Sequence, residues 1–298
     1  MTGEPRAQVI MAAGGLGTRV QQWARYLPKE FLPVAGRPGI VHVLDEIAAL
    51  SPARVVIVYH PYYEAFVTWT RQVLSPAAHG QYLHAAGRPG PGELVPDVQV
   101  DFVAQHGPYA DLTSLINGTD HLNAATDPPG EPGPVFMAFC DNLYPGPNPL
   151  LALRDVPPGV AVLARPYQRH LAGHRGVITT TVTGGHHRMT GLIEKPSPEQ
   201  ARLLEATHGA ANLLLLEGRA RLTSSFVDFA RTHPRAPGAE AKLALTLAAY
   251  ARTHTVHVLP VAADVIDLGT SEPVAPVGRN HLQNGKRAAM RAVRGAEK

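Results

Sequence analysis

The segment Val9-Ile10-Met11-Ala12-Ala13-Gly14-Gly15-Leu16-Gly17-Thr18-Arg19 constrains this chain more than any other, and Pro28-Lys29-Glu30-Phe31-Leu32-Pro33 follows shortly after it. The apolar run Ala7 to Ala13 ends in glycines and reads as a buried strand. Gly14, Gly15 and Gly17 can take φ > 0 and, lacking a Cβ, can bring backbone N–H groups close to an anion. Thr18 is a residue type that caps helices. Arg19 can chelate phosphate oxygens, and Lys29 adds a point charge. The stretch therefore predicts a strand, a phosphate-binding loop and two cationic clamps. Two other glycine loops are excluded. The loop ending in Gly-Lys-Ser/Thr fails because no lysine follows Gly17, and the dinucleotide loop needs a small residue where Val20 stands.

A chain of 298 residues can bury a sizeable core as one large α/β domain or as one domain with a small appendage. The net charge is only +3, and the pI of 9.1 reflects few acids rather than a basic stripe, so no nucleic-acid partner is implied. Cys140 is the single cysteine, which excludes an internal disulfide and suits a reducing compartment. The N-terminus Met-Thr-Gly-Glu-Pro-Arg has no apolar leader region, and no apolar run approaches a membrane span. The expectation is a soluble cytoplasmic protein without a membrane partner.

Along the chain, Ile40 to Leu50 carries apolar residues on one helical face, and Arg54 to Tyr59 is a second buried strand. Strand, helix, strand in this order predicts a right-handed unit with a parallel pair, whose anion site lies beyond the strands' carboxyl ends. Tyr62 to Leu74 reads as a helix, Ser75 to Asp97 as a loop or insertion, Val98 to Ala104 as a strand and Leu112 to Leu122 as a helix. Asp127 to Pro134 is a tight loop before the strand Val135 to Phe139. Strands are expected at Val160 to Arg165, Gly176 to Val182, Asn212 to Leu216 and Val256 to Pro260, with helices at Pro198 to Glu205, Leu222 to Thr232 and Ala239 to Thr253. His170 and His174 are four apart but lack the intervening carboxylate of a helical zinc motif, and His186-His187 reads as part of a Gly-rich turn.

The opening signature, with Gly-x-Gly-Thr-Arg followed by Pro-Lys and then Leu-Pro, resembles that of the sugar-1-phosphate nucleotidylyltransferases, the glucose-1-phosphate uridylyl- and thymidylyltransferases. Further segments carry the resemblance. Phe139-Cys140-Asp141-Asn142 is similar to the family's Gly-Asp-Asn metal segment, with Cys140 for glycine. Asp267-Leu268-Gly269-Thr270 is similar to its Asp-x-Gly-Thr element, with Asp264 as the competing carboxylate. Gly191-Leu192-Ile193-Glu194-Lys195-Pro196 is similar to its Glu-Lys-Pro motif. Gly176-Val177-Ile178 is similar to a strand whose glycine admits the sugar, with Arg175 in place of tyrosine. Gln105 follows a strand where the family reads a pyrimidine edge.

The resemblance implies an α/β/α sandwich with a mainly parallel, mixed sheet over residues 1–272, with a nucleotide-binding part at about 7–145, a sugar-binding part at about 146–272, and a basic tail at 273–298. It implies the reaction NTP + sugar-1-phosphate → NDP-sugar + pyrophosphate, with UTP or dTTP and a hexose-1-phosphate as first choice. Ala13, Gly14, Gly15, Gly17 and Thr18 would cradle the nucleotide, and Arg19 and Lys29 would hold the triphosphate. Asp141 and Asp267 would hold Mg²⁺. Lys195 would clamp the acceptor phosphate, while Glu194 and Gly176 orient the sugar. Departures keep other readings open. Pro108 to Thr113 lacks the family's turn glycine and adds Asp111, which could accept from a guanine edge; Ala211 to Leu214 replaces a Gly-Leu-Tyr-like strand; Glu240 to Leu245 only partly echoes a Gly-Glu-x-x-Leu-Thr-Asp helix. Guanylyl or other transfer to a modified sugar or cyclitol phosphate, a non-catalytic sugar-nucleotide-binding regulator, and a homo-oligomeric state all remain compatible with the chain.

Overall fold

The computed structural model describes residues 6–20, 28–65, 67–68, 99–124, 133–234, 240–262 and 264–269, the side chains of Arg19 and Gln99 apart. The expected helix end near Leu74, the loop from Ser75 to Asp97, most of the loop before Pro134 and the basic tail lie outside the described residues. In chain order the main elements are β1 (Gln8–Ala13), α1 (Gly39–Ala48), β2 (Arg54–Tyr59), β3 (Gln99–Ala104), α2 (Asp111–Ala124), β4 (Val135–Phe139) and α3 (Pro149–Arg154). They continue with β5 (Val160–Pro166), β6 (Gly176–Thr183), β7 (His186–Glu194), α4 (Pro198–His208), β8 (Leu213–Leu222), α5 (Ser224–Thr232), α6 (Leu243–Tyr250) and β9 (Val256–Pro260).

β3, β2, β1 and β4 lie side by side in that order, all parallel. The apolar runs of β1, β2 and β4 are continuous because both faces are covered, whereas the edge strand β3 carries Asp101. Val9 and Met11 face one way, against Ile40, Val43, Leu44 and Ile47 of α1. Ile10, Val56 and Val58 face the other, against Leu112, Leu115 and Leu122 of α2. The chain runs outward from β1 to β3 and then returns to the far side of β1 as β4. Strand order therefore reverses between β1 and β4, and their carboxyl ends open on the crevice where such sheets bind ligands.

The sheet as a whole is mixed but not mainly parallel. Beyond β4 it continues β8, β5, β9, β7, β6, and only β5 and β9 are parallel there. The cause is local. β6 and β7 are joined through Gly184 and Gly185, at φ 60° and 80°, and so short a turn can only reverse the chain. β8 is also longer than the expected Asn212 to Leu216. Its first residues, Leu213 to Leu215, pair with β6, while Arg219 to Leu222 pair with β4, across a register shift between Leu216 and Ala220. β8, β5, β9, β7 and β6 thereby close a hydrogen-bonded circuit. α5 begins after Leu222 because the Thr223 hydroxyl accepts from the Phe226 N–H.

Arg219 is the reason a polar residue sits inside β8. It is 1 % exposed and spends its donors on four groups. Nε and Nη2 donate to Glu46 of α1 at 2.8 Å each, Nη1 to the carbonyls of Phe139 and Gly218, and Nη2 to that of Asn142. Its guanidinium also lies 4.8 Å from the centre of the Tyr144 ring. One side chain thus joins β8, α1 and the end of β4. Arg219→Met strands the Glu46 carboxylate, and the expected cost is about 3–5 kcal/mol in urea unfolding; a loss below about 1 kcal/mol would show that the hub is dispensable.

α6 starts at Leu243, four residues later than the spacing suggests, because Asp111 caps it from α2. The Asp111 Oδ1 accepts from the N–H of Leu112 at 2.7 Å and of Leu243 at 2.8 Å. Burial pushes this carboxyl up from 3.8 to about 6, against the pull of the two N–H groups. Its ionisation therefore costs stability, a cost that is absent below about pH 4, grows toward pH 6 and is constant above. Asp111→Asn keeps the acceptor and removes the titration. Its Tm should fall less than that of the natural chain between about pH 4 and 6, and equal slopes would refute the assignment.

Candidate active site

The loop after β1 uses its glycines mainly for clearance. A Cβ on Gly14 would stand 2.9 Å from Gln105 Oε1, and one on Gly15 would stand 2.6 Å from Lys29 Cε. Of the three, Gly17 alone has positive φ, 60°. Thr18 opens a three-residue turn closed by the Val20 N–H on the Gly17 carbonyl at 2.9 Å. The Leu16 N–H donates to the Tyr109 hydroxyl at 3.1 Å. The side chain of Arg19 lies outside the described residues.

Lys29, expected as a phosphate clamp, rests on Asp141, expected as a metal ligand. Lys29 opens the turn Lys29–Phe31 and is buried, with its Nζ paired to Asp141 Oδ2 and 3.8 Å from Glu30 Oε1. Burial opposes the charge on both partners, but the pairing wins: Lys29 stays above its ordinary pKa and Asp141 below its own. Glu30 shows the reverse balance. Burial pushes it up to about 7, Lys29 offsets only part of that, and its Oε2 has no hydrogen-bond partner. The pair sits where strand order reverses, with the Cys140 N–H bonded to the Ala12 carbonyl.

The second carboxylate arrives by a two-residue bridge. Ile266–Asp267 pairs antiparallel with Asn142–Leu143, and the Leu268 N–H donates to the Asp141 carbonyl at 2.8 Å. This brings Asp267 to the cavity that Asp141 also lines, while Asp264 is exposed. Asp267 carries a cation too: Arg175 Nη2 donates to its Oδ2 at 2.9 Å, and the Gly269 N–H donates to its Oδ1 at 2.7 Å. Arg175 Nη1 reaches Glu217 at 3.5 Å, and Arg165 Nε pairs with the other Glu217 oxygen at 2.7 Å. Among the described residues no three His, Cys, Asp or Glu side chains form a metal cage. Two carboxylates at a cleft fit Mg²⁺, a hard cation that is held by one or two carboxylates, substrate phosphates and water.

Gly176 opens β6 and pairs with Glu194 at the end of β7; a Cβ there would stand 3.1 Å from Glu194 Oε2. Lys195 has φ 48°, a left-handed conformation, and its side chain lines the same cavity as that of its neighbour Glu194. Its Nζ is 3.9 Å from Glu194 Oε1. Lys242 lies 3.8 Å from the same oxygen and 3.3 Å from Glu240. Gln105 is buried, and its Nε2 donates to the Ala110 carbonyl at 2.7 Å, which turns Oε1 toward Gly14.

Two adjoining cavities result. One, of about 240 Å³, meets Gly14, Gly15, Lys29, Gln105, Glu194 and Lys195. The other, of about 200 Å³, meets Arg175, Gly176, Glu217 and Asp267. Asp111, Phe139, Asp141 and Glu194 line both. Ala13, Gly17 and Thr18 belong to the same loop without lining either. Sequence reasoning missed Tyr109, Glu217, Gly218 and Lys242 as lining residues, and noted Arg175 only as a departure. Adjacency was the available signal: Arg175 precedes Gly176, and Lys242 lies inside the segment beginning at Glu240.

No family model matches the chain. The bifunctional protein GlmU of Paramagnetospirillum magneticum is 47 % identical over 53 residues, which are 18 % of this chain and 11 % of GlmU. The chain thus spans about a tenth of the length of the curated relatives it matches first. The UTP–glucose-1-phosphate uridylyltransferase YngB of Bacillus subtilis is 23 % identical over 278 residues, 88 % of this chain and 84 % of YngB. A crystal structure of UDP-glucose pyrophosphorylase complexed with UDP-glucose superposes with a TM-score of 0.71 at 16 % identity, covering 96 % of this chain and 99 % of that one. The chain shares the fold of that pyrophosphorylase and resembles the sugar-1-phosphate nucleotidylyltransferases, both in its opening signature and in its similarity to YngB.

Proposed function

We propose that the chain is a sugar-1-phosphate nucleotidylyltransferase, joining UTP or dTTP to a hexose-1-phosphate with release of pyrophosphate. The observation that carries this reading is the pair Asp141 and Asp267, each holding a side-chain cation, at the reversal of strand order beside the glycine loop. An oxygen of the acceptor phosphate attacks the α-phosphorus of the nucleotide in line, and pyrophosphate leaves. The attacking monoester is already an anion, so no general base is needed. Catalysis is then positioning plus charge neutralisation.

In this reading Ala13 and the loop from Gly14 to Thr18 cradle the nucleotide, and Arg19 and Lys29 hold the triphosphate. Lys195 clamps the acceptor phosphate, and Glu194 with Gly176 orients the sugar. Asp141 and Asp267 would hold Mg²⁺, which would supply neutralisation of phosphate charge. Gln105 supports the choice of base. A carbonyl only accepts, so the bond to Ala110 fixes the amide and leaves Oε1 as an acceptor, suited to the N3–H of uracil or thymine. Asp111 is a weaker guanine reader, since its Oδ1 already takes two backbone donors.

The layered sandwich of the resemblance is best supported at the parallel half, where apolar clusters flank the sheet. No helix among the described residues is long and apolar enough to cross a membrane. A single domain over residues 1–272, with a basic tail after it, and a cytoplasmic location complete the proposal.

The test is pyrophosphate release by the purified chain with Mg²⁺, across five nucleoside triphosphates and a panel of sugar-1-phosphates. Release is expected with UTP or dTTP. Lys29→Ala and Asp141→Ala are expected to lower turnover by about a hundredfold to a thousandfold, read on the fraction shown to be folded, since each variant also leaves a buried charge unpaired. Silence with nucleotide binding intact would favour a modified sugar or cyclitol phosphate, or a regulator. Silence without nucleotide binding would overturn the assignment.

A further inference from the structure

The two carboxylates that suit a metal ion are each covered by a cation from a different side of the cleft. Lys29 comes from the nucleotide side, beside Gly15. Arg175 comes from the acceptor side: its carbonyl accepts from the Lys195 N–H at 3.0 Å, and Gly176, next in the chain, pairs with Glu194. The Arg175 side chain is only 15 % exposed, and its fork lies between Asp267 and Glu217.

We propose that Arg175 is a substrate-binding residue for the acceptor: it rests on Asp267 until a divalent cation takes that carboxylate, and then passes its guanidinium to the acceptor's phosphate. This rests on the reading of the cleft as a nucleotidylyl-transfer site. A dication at Asp267 removes the attraction that holds Arg175 there. Glu217 loses one of its two arginines in the release but keeps Arg165, whose Nε lies 2.7 Å from its other oxygen, and the Tyr144 hydroxyl, which donates to it at 3.4 Å. The guanidinium is planar and always charged, so it can grip a phosphate through two parallel N–H groups in a fixed fork, a geometry that the half-exposed Lys195 ammonium lacks. Arg175 and Lys195 would then hold the acceptor phosphate from two sides, with the metal carboxylates between acceptor and triphosphate. The sugar-1-phosphate is thereby bound chiefly through its phosphate. Metal occupancy and acceptor affinity rise together, because one arginine serves both.

The experiment uses the full chain and two variants, R175Q and R175K. Calorimetric titration with Mn²⁺ alone reads the counter-ion role without turnover. R175Q should bind Mn²⁺ about tenfold more tightly than the natural chain, since a competing charge has gone, and R175K should bind it nearly as the natural chain does. Steady-state kinetics with the most active substrate pair reads the acceptor role. R175Q should raise the acceptor's KM roughly tenfold to a hundredfold and leave that of the nucleotide within about twofold. R175K, which keeps the charge but loses the fork, should raise the acceptor's KM by a smaller factor. Unchanged Mn²⁺ affinity in folded R175Q, or equal KM rises for both substrates, would overturn the proposal and leave Arg175 as a structural tie between Asp267 and Glu217. Should R175Q fail to fold, an unchanged acceptor KM in R175K does the same. If the natural chain turns over no pair and binds no nucleotide, the nucleotidylyl-transfer reading has failed, and the Mn²⁺ titration alone decides the counter-ion role.

Discussion

The contact between Lys29 and Asp141 is the interaction on which the rest of the molecule depends. Neither residue is stable in its buried place alone: an isolated buried ammonium or carboxylate costs several kcal/mol, and removing one partner leaves the other uncompensated. The fold therefore has to deliver both to one point, from the turn after the glycine loop and from the end of β4. The parallel pairing of β1 with β4 does this. Gly15 is part of the same solution, since any side chain there would occupy the space of Lys29. The glycine cluster is thus explained by packing as much as by the anion it is suited to meet.

The parallel half of the fold was legible because its information is local. Val9 to Ala13, Val55 to Tyr59 and Val135 to Phe139 are unbroken apolar runs, and α1 buries the residues its helical spacing selects. The antiparallel half was read less well, because a distant partner decides each of its surprises. Glu217-Gly218-Arg219 looks like the end of a strand, yet Arg219 is buried because Glu46, far away in sequence, waits for it. The start of α6 is set by Asp111 rather than by its own residues. Ion pairs behave the same way. The family resemblance pointed to Lys29, Asp141, Glu194 and Asp267 for phosphate, sugar and metal, but it could not reveal that Lys29 and Asp141 touch. Nor could it reveal that Arg175 reaches across to Asp267.

Charge in the cleft follows one pattern. Asp141, Asp267 and Glu194, which line the cleft, each have a cation within reach: Lys29 on Asp141, Arg175 on Asp267, Lys195 and Lys242 on Glu194. Asp111, which has backbone donors and burial instead, moves toward neutrality, as does Glu30, whose burial outweighs the pull of Lys29.

β8 pairs with β6 at one end and with β4 at the other. The two regions of the cleft are consequently segments of one continuous plank, spliced by the shift near Gly218, rather than two lobes on a hinge. The cleft is cut into the framework itself. A chain built this way changes what its cleft fits by exchanging side chains along a rail of constant gauge.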